Sequence, residues 1–161
     1  MQRSMKHLRA LAACLAALTL VVANQGSAHA TACSVSGIVG VSFGSYDIFA
    51  ATPLDSAGSI TINCSSVLPV DLIRIDLDKG GGTTFAGRRM SSSTSTQLSY
   101  NLYTDITRLL MWGDGSLGTV HYGPTLPPSG SLTLPVYGRA PAKQNVAAGN
   151  YSDTIIVTVY F

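Results

Sequence analysis

The chain has 161 residues, of which 46% are hydrophobic and 11% are charged, with a formal net charge of +2 at pH 7. This length fits one domain with a hydrophobic core of its own once a targeting segment is removed. The sequence contains no basic stripe or charge run, which argues against nucleic acid or an anionic membrane surface as a partner.

The first 30 residues have the three parts of a secretory signal peptide. Three basic residues precede an apolar run at residues 10–23, and the small residues Ala28 and Ala30 stand where a signal peptidase reads. The apolar run is shorter than the roughly 20 residues that a membrane-spanning helix needs. We therefore expect cleavage after Ala30, which leaves a mature domain of residues 31–161 and removes three of the ten basic residues.

The cysteines predict one disulfide bond. Cys14 lies in the signal peptide, so Cys33 and Cys64 form a single pair in a chain bound for an oxidising compartment. In the chain-entropy model, a bridge closing a loop of this length stabilises a domain by about 3 to 4 kcal/mol.

Beyond Cys33, short β-like runs alternate with Gly, Pro, Ser and Asp. In chain order, the predicted strands cover residues 34–44, 58–66, 68–77, 96–105, 108–112, 130–140 and 151–161. The turn sequences "DKGGG" and "GDGS" supply residues that tolerate positive φ. No run has a 3.6-residue apolar stripe, so the pattern favours a single antiparallel β-sandwich.

The run at residues 151–161 has the strongest β signal. The apolar residues of one face are Ile155, Val157, Val159 and Phe161. No later strand follows this run in the sequence, and a bare apolar strand edge promotes aggregation unless a partner covers it. We therefore expect the edge to be covered by something other than a following strand.

The mature domain offers few groups for catalysis or metal binding. His121 is its one histidine, and without a second histidine or a free thiol neither a zinc site nor a Cys–His nucleophile pair can be assembled. Serines and aspartates are plentiful, but no G-x-S-x-G motif accompanies them. We interpret His121 as a surface loop residue and predict no catalytic residue, no cofactor and no metal site.

Three carboxylates and two arginines are the remaining candidates for a ligand site. Asp76 and Asp78 share a strand face, but Asp71 falls on the other face and the spacing is not that of an EF-hand. We interpret these carboxylates as solvated. Arg88 and Arg89 are adjacent and point to opposite faces of a strand, so we expect one of them to form a salt bridge with a nearby aspartate.

Five stretches of the mature chain form a recognisable series. They are "FGSYD" (43–47), "GSITINCS" (58–65), "LSYNLYTD" (98–105), "MWGDGSLGT" (111–119) and "VYGRAPAKQNVAAGNYSDTIIVTVYF" (136–161). Together they resemble the spore coat protein U domain family, which includes subunits of archaic chaperone-usher pili. The resemblance covers essentially the whole mature chain in the right order, and its most specific part is the ending.

The resemblance implies an all-β fold, an incomplete immunoglobulin-like antiparallel β-sandwich lacking its final strand. It implies three partners: a periplasmic pilus chaperone, the outer-membrane usher and sibling pilin subunits, with no nucleic acid and no small-molecule cofactor. The chaperone, and later a sibling's N-terminal extension, would supply the missing strand by β-augmentation. The edge formed by Ile155, Val157, Val159 and Phe161 is then an acceptor groove, and the protein is secreted through the periplasm to the cell surface.

The start of the mature chain departs from the family pattern. Family pilins that polymerise carry a donor segment of about ten or more residues before their first cysteine, long enough to form a strand. After the expected cleavage, Thr31 and Ala32 precede Cys33. We expect a subunit that accepts a strand without donating one, which in a head-to-tail fibre belongs at the tip.

Three functions are compatible with these features. The leading hypothesis is a non-enzymatic structural subunit of an archaic chaperone-usher pilus, used in adhesion or biofilm formation. The second is a structural coat protein of the spore or cell surface. The third is a secreted carbohydrate-binding module, with Trp112 and Tyr122 as the residues that would stack on a sugar.

Overall fold

The computed structural model describes residues 31–161, and the predicted signal peptide at residues 1–30 lies outside the described residues. The strands are β1 (Ala32–Val39), β2 (Leu54–Ser65), β3 (Ile73–Leu77), β4 (Arg89–Ser91), β5 (Gln97–Ser99), β6 (Asn101–Tyr103), β7 (Tyr122–Thr125), β8 (Gly130–Ala140) and β9 (Val157–Tyr160). One short 3₁₀ helix spans Phe85–Gly87. The described part of the chain has no helix with the length and apolarity needed to cross a membrane.

The strands form two main sheets and a small hairpin. The first sheet has the order β1-β2-β8-β6, the second has the order β7-β3-β9, and β4 pairs with β5. Every one of these strand pairs is antiparallel. The two main sheets together form the sandwich that the turn-rich, alternating sequence predicts.

The core lies between the two main sheets because alternate residues of β2, β3 and β8 point inward. In the long β2–β8 ladder, Ile60 lies opposite Leu134, and both are buried. From the second sheet, Ile73 and Ile75 are fully buried. Burying a side chain of this size stabilises the fold by about 1.5 to 3 kcal/mol.

A disulfide bond joins the first two strands. Cys33 of β1 lies directly opposite Cys64 of β2, with their Cα atoms 4.2 Å apart. The bond predicted from the cysteine count is present in the structure. It fastens the edge strand β1 to the central pair of the first sheet.

The predicted strands match the structure unevenly. β8 has the predicted bounds, whereas the run predicted as a strand at residues 108–112 begins in a turn and forms isolated β-bridges only at Met111 and Trp112. The Asp105 carboxylate organises the turn by accepting the N–H of Leu110 at 2.8 Å. Hydrogen bonds from the Thr107 hydroxyl and the turn's N–H groups lower the pKa of Asp105 to about 2.

The sandwich is open on one side. Within residues 31–161, β9 is the end strand of its sheet and β1 is the end strand of the other. The predicted class, an incomplete immunoglobulin-like antiparallel β-sandwich lacking its final strand, is confirmed.

Candidate functional site

The last strand, β9, pairs along one edge. Its neighbour is β3, with Leu77 opposite Val157, and no other described strand pairs with it. Just before β9, Ile156 also faces that neighbour. The Asp78 N–H donates to the Ile156 carbonyl at 3.1 Å, and the Ile156 N–H donates to the Asp78 carboxylate at 2.9 Å.

The residues on either side of Ile156 therefore direct their backbone groups away from β3. In an antiparallel ladder, successive residues direct their N–H and C=O groups to opposite edges. Ile155, Val157 and Val159 thus present their backbone groups on the side away from β3, and we call these three residues the free edge. Their side chains are half-buried and pack on the core, whereas Phe161 lies past the end of β9 with 60% of its surface exposed.

An open cavity of about 1090 Å³ lies beside the free edge. Its walls are residues 38–49 on one side and residues 146–155 with Val157 on the other. Its floor consists of buried side chains, namely Ile60, Leu77, Leu98, Tyr100, Leu102 and Val136. We call this cavity the groove. Of the four predicted residues, Ile155 and Val157 line it, whereas Val159 and Phe161 lie outside its lining.

The opposite wall includes the segment at residues 40–46, which is in no strand of the structure. This segment leaves β1 by crossing Gly58, where a Cβ atom would lie 2.3 Å from a backbone carbonyl oxygen. Phe43 then turns inward, with its ring edge-on to Tyr100 at a centroid distance of 6.0 Å. A Cβ atom at Gly138 would come within 2.9 Å of the Phe43 ring, so two glycines give this wall its path.

One end of the groove is polar. The Asp153 carboxylate accepts the Tyr100 hydroxyl at 2.7 Å and the Gly81 N–H at 2.9 Å. Burial and the neighbouring carboxylate raise the pKa of Tyr100 above its ordinary value, so its hydroxyl stays protonated and donates. The carboxylate therefore binds groups of the protein itself at this end of an otherwise mainly apolar groove.

Arg88, whose burial the sequence analysis did not predict, lies behind the groove in the interior. Arg88 has 0% of its surface exposed. Its guanidinium donates to the Asp78 carbonyl at 3.0 and 2.5 Å, to the Trp112 carbonyl at 2.7 Å and to the Asn101 side-chain oxygen at 2.9 Å. Burial lowers the pKa of Arg88 from its ordinary value. These bonds connect four segments that are distant in sequence.

The predicted salt bridge from the arginine pair to an aspartate is wrong. Arg88 binds neutral oxygens, and Arg89 donates to the Gln97 side chain at 2.8 Å. The ion pairs of the described residues involve other arginines. Arg88 points inward because backbone carbonyls from distant segments meet there, which adjacency in sequence does not reveal.

The interpretation of the three carboxylates as solvated is wrong for Asp76. Its residue surface is 6% exposed, and its carboxylate pairs with Arg74 at 2.8 Å. Asp71 and Asp78 are half-buried turn residues that accept the N–H groups of Leu68 and Gly80. Across residues 31–161, no cluster of three or more His, Cys, Asp or Glu side chains could hold a metal ion.

The aromatic residues proposed for sugar stacking are turned into the protein. Trp112 is 1% exposed, and its indole N–H donates to the Ile75 carbonyl at 3.0 Å. Tyr122 is half-buried against the core. The prediction of a stacking surface on Trp112 is therefore wrong. His121 is partly exposed, and its Nδ1 atom lies 3.5 Å from the Asp114 carbonyl oxygen.

Two comparisons of the sequence with known proteins agree. The model of the Spore Coat Protein U domain family matches residues 17–158. Protein U of Myxococcus xanthus is 37% identical over 144 residues, which cover 81% of this chain and 78% of that protein. Both matches include most of the described residues.

A solved structure has a similar fold. It is the crystal structure of the CsuC–CsuE chaperone–tip adhesion subunit pre-assembly complex from the archaic chaperone-usher Csu pili of Acinetobacter baumannii. A chain of this complex matches with a TM-score of 0.55 and 24% sequence identity over 82% of the present chain. The present chain spans 40% of the length of that chain. The likeness to the solved structure concerns the fold, whereas the family model and Protein U show that the chain belongs to the Spore Coat Protein U domain family.

Proposed function

We propose that this protein is a non-enzymatic structural subunit of an archaic chaperone-usher pilus, and that the groove accepts a donor strand. The observation that carries the proposal is the free edge, where backbone groups and apolar side chains both lack a neighbouring strand within residues 31–161. A bare edge of this kind is a template for another chain. The protein would be secreted through the periplasm to the cell surface.

The chemistry of the groove defines the strand that fits it. The free edge needs an extended backbone, because its N–H and C=O groups form a ladder with another strand. The floor needs an apolar side chain at every second position, because alternate residues of a strand point to the same face. A strand that pairs from Asp153 to Phe161 would extend about 30 Å. The acceptor residues would be Ile155, Val157 and Val159 of the free edge, together with Phe161 past the end of β9.

The partners follow from the same requirement. A periplasmic chaperone would cover the edge during transit, and a sibling subunit delivered at the outer-membrane usher would replace it. The solved relative, a chaperone–tip adhesion subunit complex, supports a chaperone as the first partner. The proposal includes a position at the fibre tip and a role in adhesion or biofilm formation.

The test is complementation of the secreted protein by a strand. Produced without a chaperone, the protein should self-associate, because the groove leaves apolar surface in water. An alternating apolar peptide or the cognate chaperone should yield a soluble complex with a higher melting temperature, by mass action. A soluble monomer that ignores both partners would contradict the proposal.

Two substitutions on neighbouring residues provide the matched pair for this test. Val157→Asp places a charge in the groove and should abolish the gain in melting temperature. Thr158→Asp places the same charge on the exposed face of β9 and should leave most of the gain. Equal effects of the two substitutions would show that the peptide does not use the groove.

A structural coat protein of the spore or cell surface is the second candidate. Membership of a family defined by a spore coat domain, and the 37% identity with Protein U, favour it. Strand complementation separates the two functions. A coat protein that assembles without donor strands should form its surface layer equally well with Val157→Asp.

A further inference from the structure

The turn after β3 is fastened to the start of the free edge by two carboxylates. The first belongs to Asp78, which accepts the N–H of Gly80 in its own turn at 3.0 Å. The same oxygen accepts the Ile156 N–H at 2.9 Å. One side chain therefore shapes the turn and holds the chain that enters β9.

The second carboxylate belongs to Asp153, which lies in the chain before β9 and accepts a hydrogen bond from the turn. It accepts the Gly81 N–H of the turn at 2.9 Å and the Tyr100 hydroxyl of the groove floor at 2.7 Å. The turn sits so close that a Cβ atom at Gly80, where φ is +56°, would lie 2.2 Å from the Asp153 carboxylate and 2.8 Å from Ile155. Glycine allows this approach without displacing the Asp153 carboxylate.

These hydrogen bonds hold a stretch of the chain that has no regular strand pairing. The regular ladder between β3 and β9 begins at Val157, while Ser152 pairs with Ser91 of the small hairpin at 2.8 and 3.1 Å. Between these two points, residues 153–156 belong to no strand, yet residues 153–155 are part of one wall of the groove. The backbone of this stretch is held to the turn by Asp78 and Asp153.

We infer that Asp78 and Asp153 are positioning residues, which fix residues 153–156 in the extended form that an incoming strand pairs with. This inference rests on the proposed function, since it concerns how the groove accepts a strand. A strand pairs most tightly with an edge that is already ordered, because binding then does not include the free-energy cost of ordering the backbone. The carboxylates therefore act where the chain enters the free edge, near Asp153, and not at the other end of the free edge, near Val159.

The test measures dissociation of peptides that cover different lengths of the groove. The secreted protein is refolded with a fluorescent peptide of eleven residues in which valine alternates with serine, except that one off-centre valine is replaced by phenylalanine to fix the register. Dissociation is followed after adding excess unlabelled peptide. Two seven-residue peptides, which lack different ends of this sequence and both keep the phenylalanine, are measured in the same way. The variants are Asp78→Ala and Asp153→Ala, with Asp78→Asn as the conservative variant that keeps an acceptor oxygen.

In either alanine variant, the eleven-residue peptide should dissociate about tenfold faster, which corresponds to about 1.4 kcal/mol. The seven-residue peptide that avoids the Asp153 end should dissociate at the wild-type rate. Asp78→Asn should restore most of the slow dissociation. Tyr100→Phe removes one hydrogen bond to Asp153 and leaves the ring in place, so it should have a smaller effect of the same kind even if an alanine variant does not fold.

Asp114→Ala is the matched control. Its carboxylate accepts the N–H two residues on, from Ser116 at 2.9 Å, just as Asp78 does with Gly80, but among the described residues it accepts no hydrogen bond from residues 153–156. Dissociation should not change in this variant. Unchanged dissociation in both Asp78→Ala and Asp153→Ala, or an equal acceleration for long and short peptides, would overturn the positioning role. A wild-type protein that binds none of the peptides would overturn the proposed function, and the positioning role with it.

Discussion

The two sides of the sandwich differ in burial and in how completely their polar groups are hydrogen-bonded. On the side of Arg88, polar groups meet in the interior, and Arg88, Asn101 and Trp112 are between 0% and 6% exposed. Their hydrogen-bonding groups have partners from segments distant in sequence. On the side of the groove, Ile38 and Val39 are 61% and 63% exposed, and the free edge has no neighbouring strand within residues 31–161.

This difference shows how an incomplete sandwich can still have a definite shape. A fully bonded polar cluster is stabilising in a protein interior, while a partly bonded one is costly. The cluster around Arg88 holds the turn after β3, and that turn holds the edge that the groove leaves open. Through this turn, the cluster around Arg88 therefore keeps the free edge ordered before any strand binds.

Replacing Arg88 should produce the largest effect. Arg88→Met keeps most of the volume but leaves the carbonyls of Asp78 and Trp112 without this donor, and each unbonded buried group costs about 1 to 3 kcal/mol. We expect a loss of about 4 kcal/mol in the free energy of unfolding, measured by denaturant titration of the complex with a bound peptide.

The neighbouring arginine provides the control for that measurement. Arg89 is exposed and donates to Gln97 on the surface, so Arg89→Met should change the free energy of unfolding by no more than about 0.5 kcal/mol. Similar losses for the two substitutions would mean that the cluster around Arg88 does not stabilise its side of the sandwich.

The second largest effect should come from the disulfide bond between β1 and β2. Cys64→Ser removes a cross-link between residues 31 positions apart, which is worth about 3 to 4 kcal/mol in the chain-entropy model. The yield of secreted protein should fall sharply, and dithiothreitol should destabilise the wild type by a similar amount. Mass measurement of the wild-type protein after alkylation should find no free thiol at Cys33 or Cys64. Two alkylated cysteines would contradict this.

The sequence predicted the parts of this fold that depend on local alternation. β8 has the predicted bounds because its inward residues alternate without interruption from Leu132 to Ala140. The final strand was predicted from residue 151, but its ladder begins at Val157, because the preceding residues bind side chains and a hairpin instead. β7 was not predicted, since Gly123 and Pro124 in its middle are typical of a turn.

The candidate site was predicted on one wall and missed on the other. Ile155 and Val157 follow from the period of the last strand. Residues 40–44 of the other wall were predicted as part of a strand, but strand pairing depends on what lies beside a segment, and no described strand pairs with these residues. The burial of Arg88 was missed because arginine is normally exposed and its partners come from distant segments.

The smallest effect should come from His121, the one histidine of the described residues, which belongs neither to the cluster around Arg88 nor to the groove. Its Nδ1 atom is 3.5 Å from the Asp114 carbonyl, a long distance for a hydrogen bond, and it is outside the groove lining. His121→Ala should change the free energy of unfolding by no more than about 0.5 kcal/mol and leave peptide binding unchanged. Tyr122→Ala, next in the chain, should cost about 2 kcal/mol because Tyr122 packs on the core. Loss of a surface phenotype in His121→Ala, with stability and peptide binding intact, would point to a chemical role for the imidazole that the groove does not explain.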